Sequence, residues 1–380
     1  MRNVKIVIGA NFGDEGKGLM TDYFCSQAPP SERVLNIRFN GGAQAGHTVV
    51  TPDGRRHIFS HFGSGSFLPN VATYLTKDFI INPILFRREY KKLEALGIYP
   101  MVYVHPKCLL TFPQDMMINQ FMETRRGENR HGSCGVGIFE TLVRSQKDSE
   151  VTASALTFIA MKHYQIDIEY YSSERIEKIF GIGLSGKEKA WLNNQNIRAH
   201  FDQDVKFFMD HVTVTDERIF KRFQYAVFEG AQGLMLDQNN KDYFPHLTPS
   251  NTGLLNVLPY LEKENMAIEV CYVTRPYLTR HGAGKLPNEC LREQTGAKVD
   301  LTNGKNEWQG DFRYGHLNTM ELMNRCEKDF KNLLPFKGKM SYAVTHMDEA
   351  LKSNLTPYSE SLYFSYGPKR TDVKEVWTES

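Results

Sequence analysis

A glycine-rich segment near the amino terminus has the residue types that bind phosphate. Residues 9–18 read GANFGDEGKG, which departs from the Walker A pattern because Asn11 replaces a glycine and Gly18 replaces the last serine or threonine. The glycines leave main-chain N–H groups free to approach an anion, and the helix expected next adds its positive N-terminal dipole. Lys17 supplies a positive charge at the same place. The segment therefore predicts a phosphate-binding loop of a non-standard kind.

Asp14 is the unusual residue of this loop. A carboxylate beside phosphate groups is repelled unless it binds Mg²⁺ or takes up a proton. Its position therefore predicts a chemical role. The loop alone also allows an ordinary glycine-rich turn in which Asp14 and Lys17 are solvated.

A second glycine-rich segment surrounds a histidine. Residues 40–48 read NGGAQAGHT and follow the apolar run VLNIRF at residues 34–39. Three glycines near His47 indicate close approach of the main chain to another group. His47 is either a structural or a catalytic histidine, and the spacing of this segment does not decide between the two roles.

The elements that must position these loops alternate between strands and helices. Residues 5–9 are a β-branched run, and residues 19–27 after the first loop have helical apolar spacing. Four more apolar runs are each followed by a polar or glycine-rich segment, and they lie at residues 34–39, 225–230, 267–274 and 340–346. This order predicts an α/β fold with a large, mostly parallel central sheet flanked by helices. Ligands bind at the carboxyl ends of the strands in such sheets.

Another strand and helix are predicted between residues 73 and 97. Residues 73–81 form the expected strand, Asn82 caps the helix, Pro83 takes its first position, and Gly97 ends it. The charges of this helix are expected to solvate one face.

Composition limits the classes of function. The chain has 380 residues, with 46 Lys and Arg against 44 Asp and Glu, so its net charge of +2 disfavours nucleic-acid binding over the whole surface. Hydrophobic residues at 41% and charged residues at 24% are ordinary for a globular protein with a large core. No linker or repeat interrupts the sequence, so we expect one domain over residues 1–380.

The sequence also predicts a cytoplasmic protein that does not enter a membrane. No apolar run approaches the roughly 18 residues of a spanning helix, and the first residues lack the layout of a signal peptide. The six cysteines lie far apart, without a C-x-x-C pair or a histidine at metal-ligand spacing. We expect them to be reduced and mostly structural.

The two glycine-rich segments together resemble those of the adenylosuccinate synthetase family. Later segments resemble family motifs in the same order, and these are HGSCGVGI with Arg144 behind it, VFEGAQGLMLD, FPHLTPSNTG, TRHGAGKLPNE, THMDEA and SYGPKRTD. The resemblance runs from Val4 to about Asp372, and the ordered set is far more specific than any single motif. It implies an adenylosuccinate synthetase-like fold, similar to P-loop NTPases without a standard Walker A loop.

The resemblance implies a carbon–nitrogen ligase of purine nucleotide biosynthesis. A nucleoside triphosphate phosphorylates the 6-oxo group of a purine 5′-monophosphate, expected to be IMP, and the amine of L-aspartate then displaces the phosphate. The oxygen becomes nucleophilic enough only when the N1 proton is removed, and Asp14 is the implied base. His47 is implied to donate a hydrogen bond to O6, while Lys17 holds the triphosphate. The implied Mg²⁺ bridges the phosphates and binds the Asp14 carboxylate and the Gly46 carbonyl.

The resemblance also implies the binding residues. Those for the purine monophosphate are Gln44, Ser133, Cys134, Arg144, Gln232 and Thr248. Those for aspartate are Thr302 and Arg313. Those for the triphosphate are Gly13, Glu15, Gly16, Lys17, Gly18, Gly46, His47, Thr48, His346, Asp348, Ser365 and Gly367.

Two of these assignments carry further implications. Arg144 is implied to reach across a dimer interface, which predicts a homodimer. Asp348 is implied to accept hydrogen bonds from N1–H and the 2-amino group of guanine, which favours GTP because the corresponding ring nitrogen of adenine is an acceptor. The alternative role for Asp348 is an exposed cap at a strand end.

The sequence departs from the family pattern at several positions. His346 replaces a lysine, which makes ATP a possible donor. In the segment EWQGDFRYGHLN, Asp311 and Phe312 stand where arginines are expected and Arg313 is retained. Since a charge-assisted contact contributes roughly 1.5 to 3 kcal/mol, aspartate must be held by fewer or different groups. Gln44 and Cys134 also replace an asparagine and a threonine.

These departures leave two alternatives to the IMP reaction. They resemble phage-encoded relatives that use ATP to convert dGMP to 2-amino-deoxyadenylosuccinate, although those relatives replace the aspartate at position 14 with a small residue. The other alternative is a nucleotide-binding sensor without turnover. The altered arginine loop suggests a sensor, whereas the presence of Asp14, Lys17 and His47 together argues against one.

Overall fold

The computed structural model describes residues 1–147, 152–153, 168–299, 310–349 and 361–377. The strands of this part of the chain are β1 (Arg2–Gly9), β2 (Val34–Arg38), β3 (His47–Val50), β4 (Arg56–Phe59), β5 (Val71–Leu75), β6 (Met101–Val104), β7 (Thr213–Val214), β8 (Tyr225–Gly233), β9 (Met266–Thr274), β10 (Tyr277–His281), β11 (Glu289–Cys290), β12 (Phe312–His316), β13 (Gly338–Val344), β14 (Ser361–Ser365) and β15 (Val373–Trp377). The helices are α1 (Lys17–Ser26), α2 (Pro83–Ala95), α3 (Pro113–Arg126), α4 (Ile138–Lys147), α5 (Ile168–Phe180), α6 (Gly186–Leu192), α7 (Gln195–His211), α8 (Arg292–Thr295) and α9 (Thr319–Phe330).

Ten of these strands form the central sheet. Their order is β15-β14-β13-β9-β1-β8-β2-β5-β6-β7, and every neighbouring pair is parallel except β14 with β15. The predicted mostly parallel sheet is therefore confirmed. β1 lies between β8 and β9, so the loop that follows it emerges near the middle of the sheet, where loops of neighbouring strands can meet it.

Alternation along β1 places apolar side chains in separate cores on the two faces of the sheet. Ile6 and Ile8 belong to the largest apolar cluster, whereas Val7 packs in another cluster with Leu19 and Met20 of α1. Burial on both faces explains why the central strands are largely apolar along their length. The sheet is thus a fixed platform for the loops at its edge.

The predicted local elements agree with the structure except for one strand. The Asn82 side chain accepts a hydrogen bond from the Leu85 amide at 3.1 Å, which confirms the predicted helix cap of α2. The expected strand at 73–81 is wrong in length, because β5 ends at Leu75 and a turn follows in which the Phe79 amide donates to the Thr76 carbonyl at 3.0 Å. Residues 80–81 make only isolated bridges.

Two smaller sheets lie beside the main one. β3 and β4 form an antiparallel hairpin, and β10, β12 and β11 form an antiparallel three-stranded sheet in that order. His47 begins the hairpin, and His281 ends β10 opposite Phe312 of β12. The hairpin therefore contributes His47, a predicted catalytic residue. The three-stranded sheet contributes His281, which lies in one of the motifs that carry the resemblance.

All six cysteines lie in the described part of the chain, and none of them is in a disulfide. The buried thiols are those of Cys25, Cys108, Cys271 and Cys326, and burial raises the pKa of each. Burial of four of the six cysteines agrees with the prediction that they are mostly structural. No helix within the described residues is long and apolar enough to span a bilayer.

Candidate functional site

The loops singled out in the sequence meet at the carboxyl ends of the central strands. The Thr345 hydroxyl, just after β13, donates to the Glu15 carbonyl at 2.7 Å. The Arg275 Nε, just after β9, donates to the Asp14 carbonyl at 2.6 Å. A Cβ placed on Gly18 would lie 3.0 Å from the Cβ of His47. The first loop is therefore packed against three neighbouring segments.

The conformation of the first loop is fixed by hydrogen bonds to the carboxylate of Glu15, a residue of the loop itself. Glu15 Oε1 accepts hydrogen bonds from the amides of Asn11 at 2.9 Å and Gly13 at 2.8 Å. The Lys17 ammonium donates to Glu15 Oε2 at 2.8 Å, and both side chains are buried. In this arrangement Lys17 is neutralised within the protein, so its predicted contact with phosphate requires exchange of an existing ion pair.

Several loop residues adopt left-handed conformations that shape an anion site. Gly13 and Gly16 have φ of 101° and 92°, and Asp14 between them has φ of 59°. Glycine suits such angles, while aspartate tolerates them better than most residues do. Successive amides in this conformation form a concave surface that binds anions. In this structure the Gly13 amide is already used by Glu15, so a phosphate would have to replace that carboxylate at this amide.

The Asp14 carboxylate faces a second titratable group. Its side chain is 28% exposed, and its Oδ2 lies 3.5 Å from Nε2 of His281. The His281 ring in turn packs on Phe312, with ring centroids 4.6 Å apart. Asp14 is thus accessible to a ligand, and the segment expected to hold aspartate lies next to it.

His47 is oriented by a buried acid. Its Nδ1 is hydrogen-bonded to the Glu229 carboxylate, which also accepts from the Ser64 amide at 3.0 Å and from Asn36 Nδ2 at 3.1 Å. Because Glu229 holds Nδ1, only Nε2 of His47 remains for a ligand. With Nδ1–H on Glu229, donation from Nε2 requires a ring that is protonated on both nitrogens.

A buried arginine sets the charge balance around this pair. Arg38 lies opposite Glu229 in the β2–β8 register and is fully buried, with Nη1 donating to the Phe62 carbonyl at 3.2 Å. Burial tends to raise the pKa of Glu229, but the charges of Arg38 and His47 outweigh that effect and hold the pKa below its usual value. Burial, followed by repulsion from Arg38, lowers the pKa of His47. Glu229 is therefore the ionised member of the pair.

A cleft beside these loops contains two of the predicted nucleotide-binding residues. Gln44 and Thr248 line it together with Gly41 and Asn251, and its volume is about 220 Å³. Among the described residues, Gln44 Oε1 and Thr48 Oγ1 are buried atoms without a hydrogen-bond partner. Buried polar atoms of this kind need partners, which a bound nucleotide can supply.

The other residues predicted to bind the monophosphate do not all lie in the same part of the structure. Gln232 has φ of 62°, and its Cα would lie 3.6 Å from a Cβ on Gly13. Ser133 Oγ accepts from Asn119 Nδ2 at 2.8 Å, and Cys134 beside it is half-buried. The structure thus brings Gln232 to the first loop, while Ser133 and Cys134 lie on a separate segment after α3.

Arg144 is buried and already paired within its own chain. Its Nη2 donates to Asp115 at 2.8 Å and to the Leu110 carbonyl at 2.6 Å, and its Nε donates to Asp115 at 2.9 Å. The side chain is 3% exposed. These contacts fix α4 against α3, and any contact with a partner subunit's nucleotide requires their exchange.

The residues predicted to read the triphosphate base come together after β13 and β14. The Met347 amide donates to the Ser365 carbonyl at 2.9 Å, and Ser365 Oγ donates to the Gly367 carbonyl at 2.6 Å. Asp348 is half-exposed, and its carboxylate accepts from Lys298 Nζ at 2.7 Å. His346 has φ of 60° at the start of this segment.

The predicted aspartate site is only partly within the described residues. Thr302 lies outside them. Arg313 donates to Glu289 at 2.8 Å and to the Gly284 carbonyl at 2.5 Å, and it pairs in register with Arg280. Arg280 is buried, and burial together with Arg313 lowers its pKa to about 10.

Sequence reasoning missed Glu229, Arg275, His281 and Lys298. Glu229 and His281 lie in the segments VFEGAQGLMLD and TRHGAGKLPNE, which resemble family motifs. The sequence could therefore have marked both residues as candidates, but it does not indicate which residues they contact. Arg275 and Lys298 are separated in sequence from the residues that they contact by 261 and 50 positions. No local pattern connects residues so far apart.

The donor atoms at the first loop suit a hard divalent cation. Asp14 offers a partly exposed carboxylate, and Gly46 is exposed next to His47. Mg²⁺ prefers oxygen ligands and usually combines one or two carboxylates with substrate phosphates. Asp14 and the Gly46 carbonyl therefore fit the predicted ion in chemistry.

Comparison with known proteins gives a consistent set of similarities. A family profile described as adenylosuccinate synthetase matches residues 6–326. Adenylosuccinate synthetase of Trichodesmium erythraeum is 29% identical over 349 residues, covering 85% of this chain and 75% of that protein. The enzyme of Mesoplasma florum is 27% identical over 296 residues, and that match covers 77% of this chain and 66% of the relative.

Solved structures of low sequence identity show the same fold. Fully ligated adenylosuccinate synthetase from Plasmodium falciparum superposes with a TM-score of 0.66 at 18% identity, covering 99% of this chain and 87% of that one. Succinoaminodeoxyadenylate synthetase (PurZ) of cyanophage S-2L, bound to dGMP and dATP, has a TM-score of 0.65 at 16% identity, with 100% and 96% covered.

Proposed function

This chain belongs to the adenylosuccinate synthetase family, a family of ligases, and on that premise we propose that it joins L-aspartate to C6 of IMP with hydrolysis of a nucleoside triphosphate. The observation that carries the proposal is the meeting of Asp14, the Glu229-bound His47 and the amides of the first loop at one edge of the sheet.

The proposed first step is phosphoryl transfer to the purine. Asp14 takes the N1 proton, and the electron pair moves to O6, which attacks the γ-phosphorus and releases the nucleoside diphosphate. His47 is held through Nδ1 by the ionised Glu229, and it donates from Nε2 to O6 only in its doubly protonated form, so the ring must take up a proton when the substrates bind. A bound Mg²⁺, held by Asp14 and the Gly46 carbonyl, would neutralise phosphate charge.

In the second step the aspartate amine attacks C6. The C6–O bond breaks, inorganic phosphate leaves, and the amine loses a proton, which gives the 6-succinylamino purine. Arg313 and Thr302 are proposed to bind the aspartate carboxylates. Arg313 would have to share or exchange its contact with Glu289 to do so.

The proposed monophosphate site comprises the cleft residues Gln44 and Thr248, together with Gln232 beside the first loop and Ser133 and Cys134 on the segment after α3. The unpartnered Gln44 Oε1 supports this assignment. We also propose a homodimer in which Arg144 contacts the nucleotide of the partner subunit. Light scattering of the purified protein tests the dimer, and a monomer at micromolar concentration with bound substrates would contradict it.

Phosphate release tests the reaction directly. Purified protein with IMP, aspartate, Mg²⁺ and either GTP or ATP is expected to release phosphate only when all components are present. Accumulation of the succinylated nucleotide is followed in parallel. Phosphate release that does not depend on aspartate and IMP would contradict a ligase.

The phage-type reaction is the second candidate. The Lys298 contact with Asp348 supports it in part, because that contact weakens a guanine site and makes ATP a reasonable donor. Asp14 argues against a 2-aminopurine substrate. The same assay with dGMP and ATP separates the two reactions. Tight nucleotide binding without turnover in every combination would instead favour a sensor.

A further inference from the structure

Lys298 contacts the carboxylate expected to read the base of the triphosphate. Its Nζ lies 2.7 Å from Asp348 Oδ2, and its main-chain amide donates to Glu349 Oε2 at 3.3 Å. Glu349 Oε2 also accepts from the Tyr277 hydroxyl at 2.8 Å. Position 298 is therefore joined to the segment after β13 by both its side chain and its main chain.

This pairing changes the hydrogen-bonding pattern that the site offers to a purine. A free aspartate presents two acceptors, which match the N1–H and 2-amino donors of guanine. The Lys298–Asp348 pair presents one donor and one acceptor side by side. That pattern matches adenine, whose N1 accepts a hydrogen bond and whose 6-amino group donates one.

Guanine would meet two obstacles at the same pair. The ammonium group of Lys298 competes for one of the two oxygens that guanine requires, and it faces the N1–H donor of guanine with another donor. The ion pair is half-exposed, so a ligand can reach it without unfolding the surrounding segment. Exposed pairs of this kind are weak, so the effect on the base preference is expected to be moderate.

We propose that Lys298, acting with Asp348, selects an adenine nucleotide as the phosphoryl donor. The inference rests on the proposed function, because it takes Asp348 as the base-reading residue. Without Lys298, Asp348 would favour a guanine nucleotide instead.

The test compares ATP with GTP in the intact protein and in three variants. We expect kcat/KM for the unmodified protein to favour ATP by at least about five-fold, within the range that one mismatched hydrogen-bonding edge produces. Lys298→Met should shift the ratio toward GTP by a similar factor. Lys298→Arg keeps a cationic donor and should preserve the ATP preference. Lys328→Met removes an exposed lysine of α9 and serves as the matched control.

Equilibrium binding of non-hydrolysable ATP and GTP analogues, measured by calorimetry with Mg²⁺ and IMP present, provides a readout independent of turnover. A GTP preference in the unmodified protein, or an unchanged ratio in Lys298→Met, would overturn the proposal. Failure of both analogues to bind would do so as well. Failure of the proposed function differs from these outcomes, because it appears as normal analogue binding without product formation.

Discussion

His47 and Glu229 lie 182 positions apart in the sequence and meet through one hydrogen bond. Glu229 holds the imidazole through Nδ1 and is itself held by Ser64 and Asn36. A ligand that contacts Nε2 therefore meets a ring whose orientation is already set. Carboxylates that orient metal-bound histidines in the same way affect activity by about 10- to 100-fold, and we expect an effect of this size for Glu229.

We predict that Glu229→Gln lowers kcat by about 10- to 100-fold with a smaller effect on the KM of IMP. The change also removes the negative charge that lies opposite the buried Arg38 in the β2–β8 register, and leaving a buried charge uncompensated costs about 3 to 5 kcal/mol of unfolding free energy. Steady-state kinetics and urea unfolding measure the two effects. Glu264→Gln, at an exposed glutamate, is the control. Equal kcat values for the two variants would show that Glu229 does not orient His47.

Asp14→Asn tests the proposed base. Asparagine tolerates the left-handed backbone at this position, so the loop should keep its shape. We expect turnover to be lost because an amide cannot take the N1 proton, while the Kd of the triphosphate measured without Mg²⁺ changes little. Single-turnover phosphate release and calorimetry measure these quantities. Near-normal rates would refute the assignment.

Asp14 stands out in the sequence as a carboxylate within a phosphate-type loop, whereas the role proposed for His47 comes from the family resemblance. The sequence was not sufficient to predict their partners. His281 reaches Asp14 only because β10 folds beside the first loop, and Lys298 reaches Asp348 across 50 positions. Contacts of this kind depend on tertiary packing, which local spacing does not encode.

Gly16 connects the first loop to α1 at a position with no room for a side chain. Its φ is 92°, and a Cβ there would lie 2.8 Å from Cγ2 of Thr345. Thr345 also donates to the Glu15 carbonyl, so a displacement of Thr345 would disturb the first loop as well.

We predict that Gly16→Ala weakens triphosphate binding and lowers the melting temperature, with a backbone strain of about 1 to 3 kcal/mol plus the clash. Gly54→Ala is the matched control, because Gly54 has φ of 90° but no neighbour within 4 Å of its Cβ position. Gly54→Ala should show the strain alone and bind triphosphate normally. Identical binding defects in the two variants would contradict this account.

Element boundaries were predictable where a single residue has a specific backbone role. Asn82 and Pro83 mark the start of α2. Asn82 caps the helix, and Pro83 is tolerated at its first position because an amide there would have no partner within the helix. The strand expected at 73–81 was too long because its apolar residues continue past Leu75. Phe79, Ile80 and Ile81 are buried by the turn that follows, which apolar content alone cannot distinguish from a strand.

The segment after β14 is joined to the first helix by an ion pair whose carboxylate is fully buried. Arg370 Nη1 donates to Asp22 of α1 at 2.8 Å and 3.1 Å. Burial raises the pKa of Asp22 to about 6, although Arg370 acts in the opposite direction. The folded protein therefore binds a proton at Asp22 more tightly than the unfolded chain does.

A raised carboxyl pKa makes stability fall as pH rises. We predict that the contribution of Asp22 is fully present below pH about 4 and is lost between pH 4 and about 6, with a total of about 3 kcal/mol. Asp22→Asn should remove this component from the pH dependence of the unfolding free energy. Urea unfolding between pH 4 and 7.5 measures it, with Asp242→Asn as an exposed control. Parallel pH profiles for the unmodified protein and Asp22→Asn would contradict the prediction.

The overall sheet was predictable because burial on both faces makes its strands largely apolar runs. The predicted runs at 34–39, 225–230, 267–274 and 340–346 correspond to β2, β8, β9 and β13. The strand order was not predictable, since β8 and β9 flank β1 although more than 200 residues separate them from it. The sequence of a single protein does not indicate which parallel strands become neighbours in the sheet.

The side-by-side placement of Arg38 and Glu229 also has a consequence for how the chain assembles. The two residues are aligned when β2 and β8 pair correctly. A slip of one residue would bring Arg38 level with Phe228 and turn one strand's polar side chains toward the apolar cluster that contains Ile37 and Phe228. An isolated charge in that cluster is strongly unfavourable. The same two ions thus reject misaligned pairings while the sheet is forming, long before any nucleotide is bound.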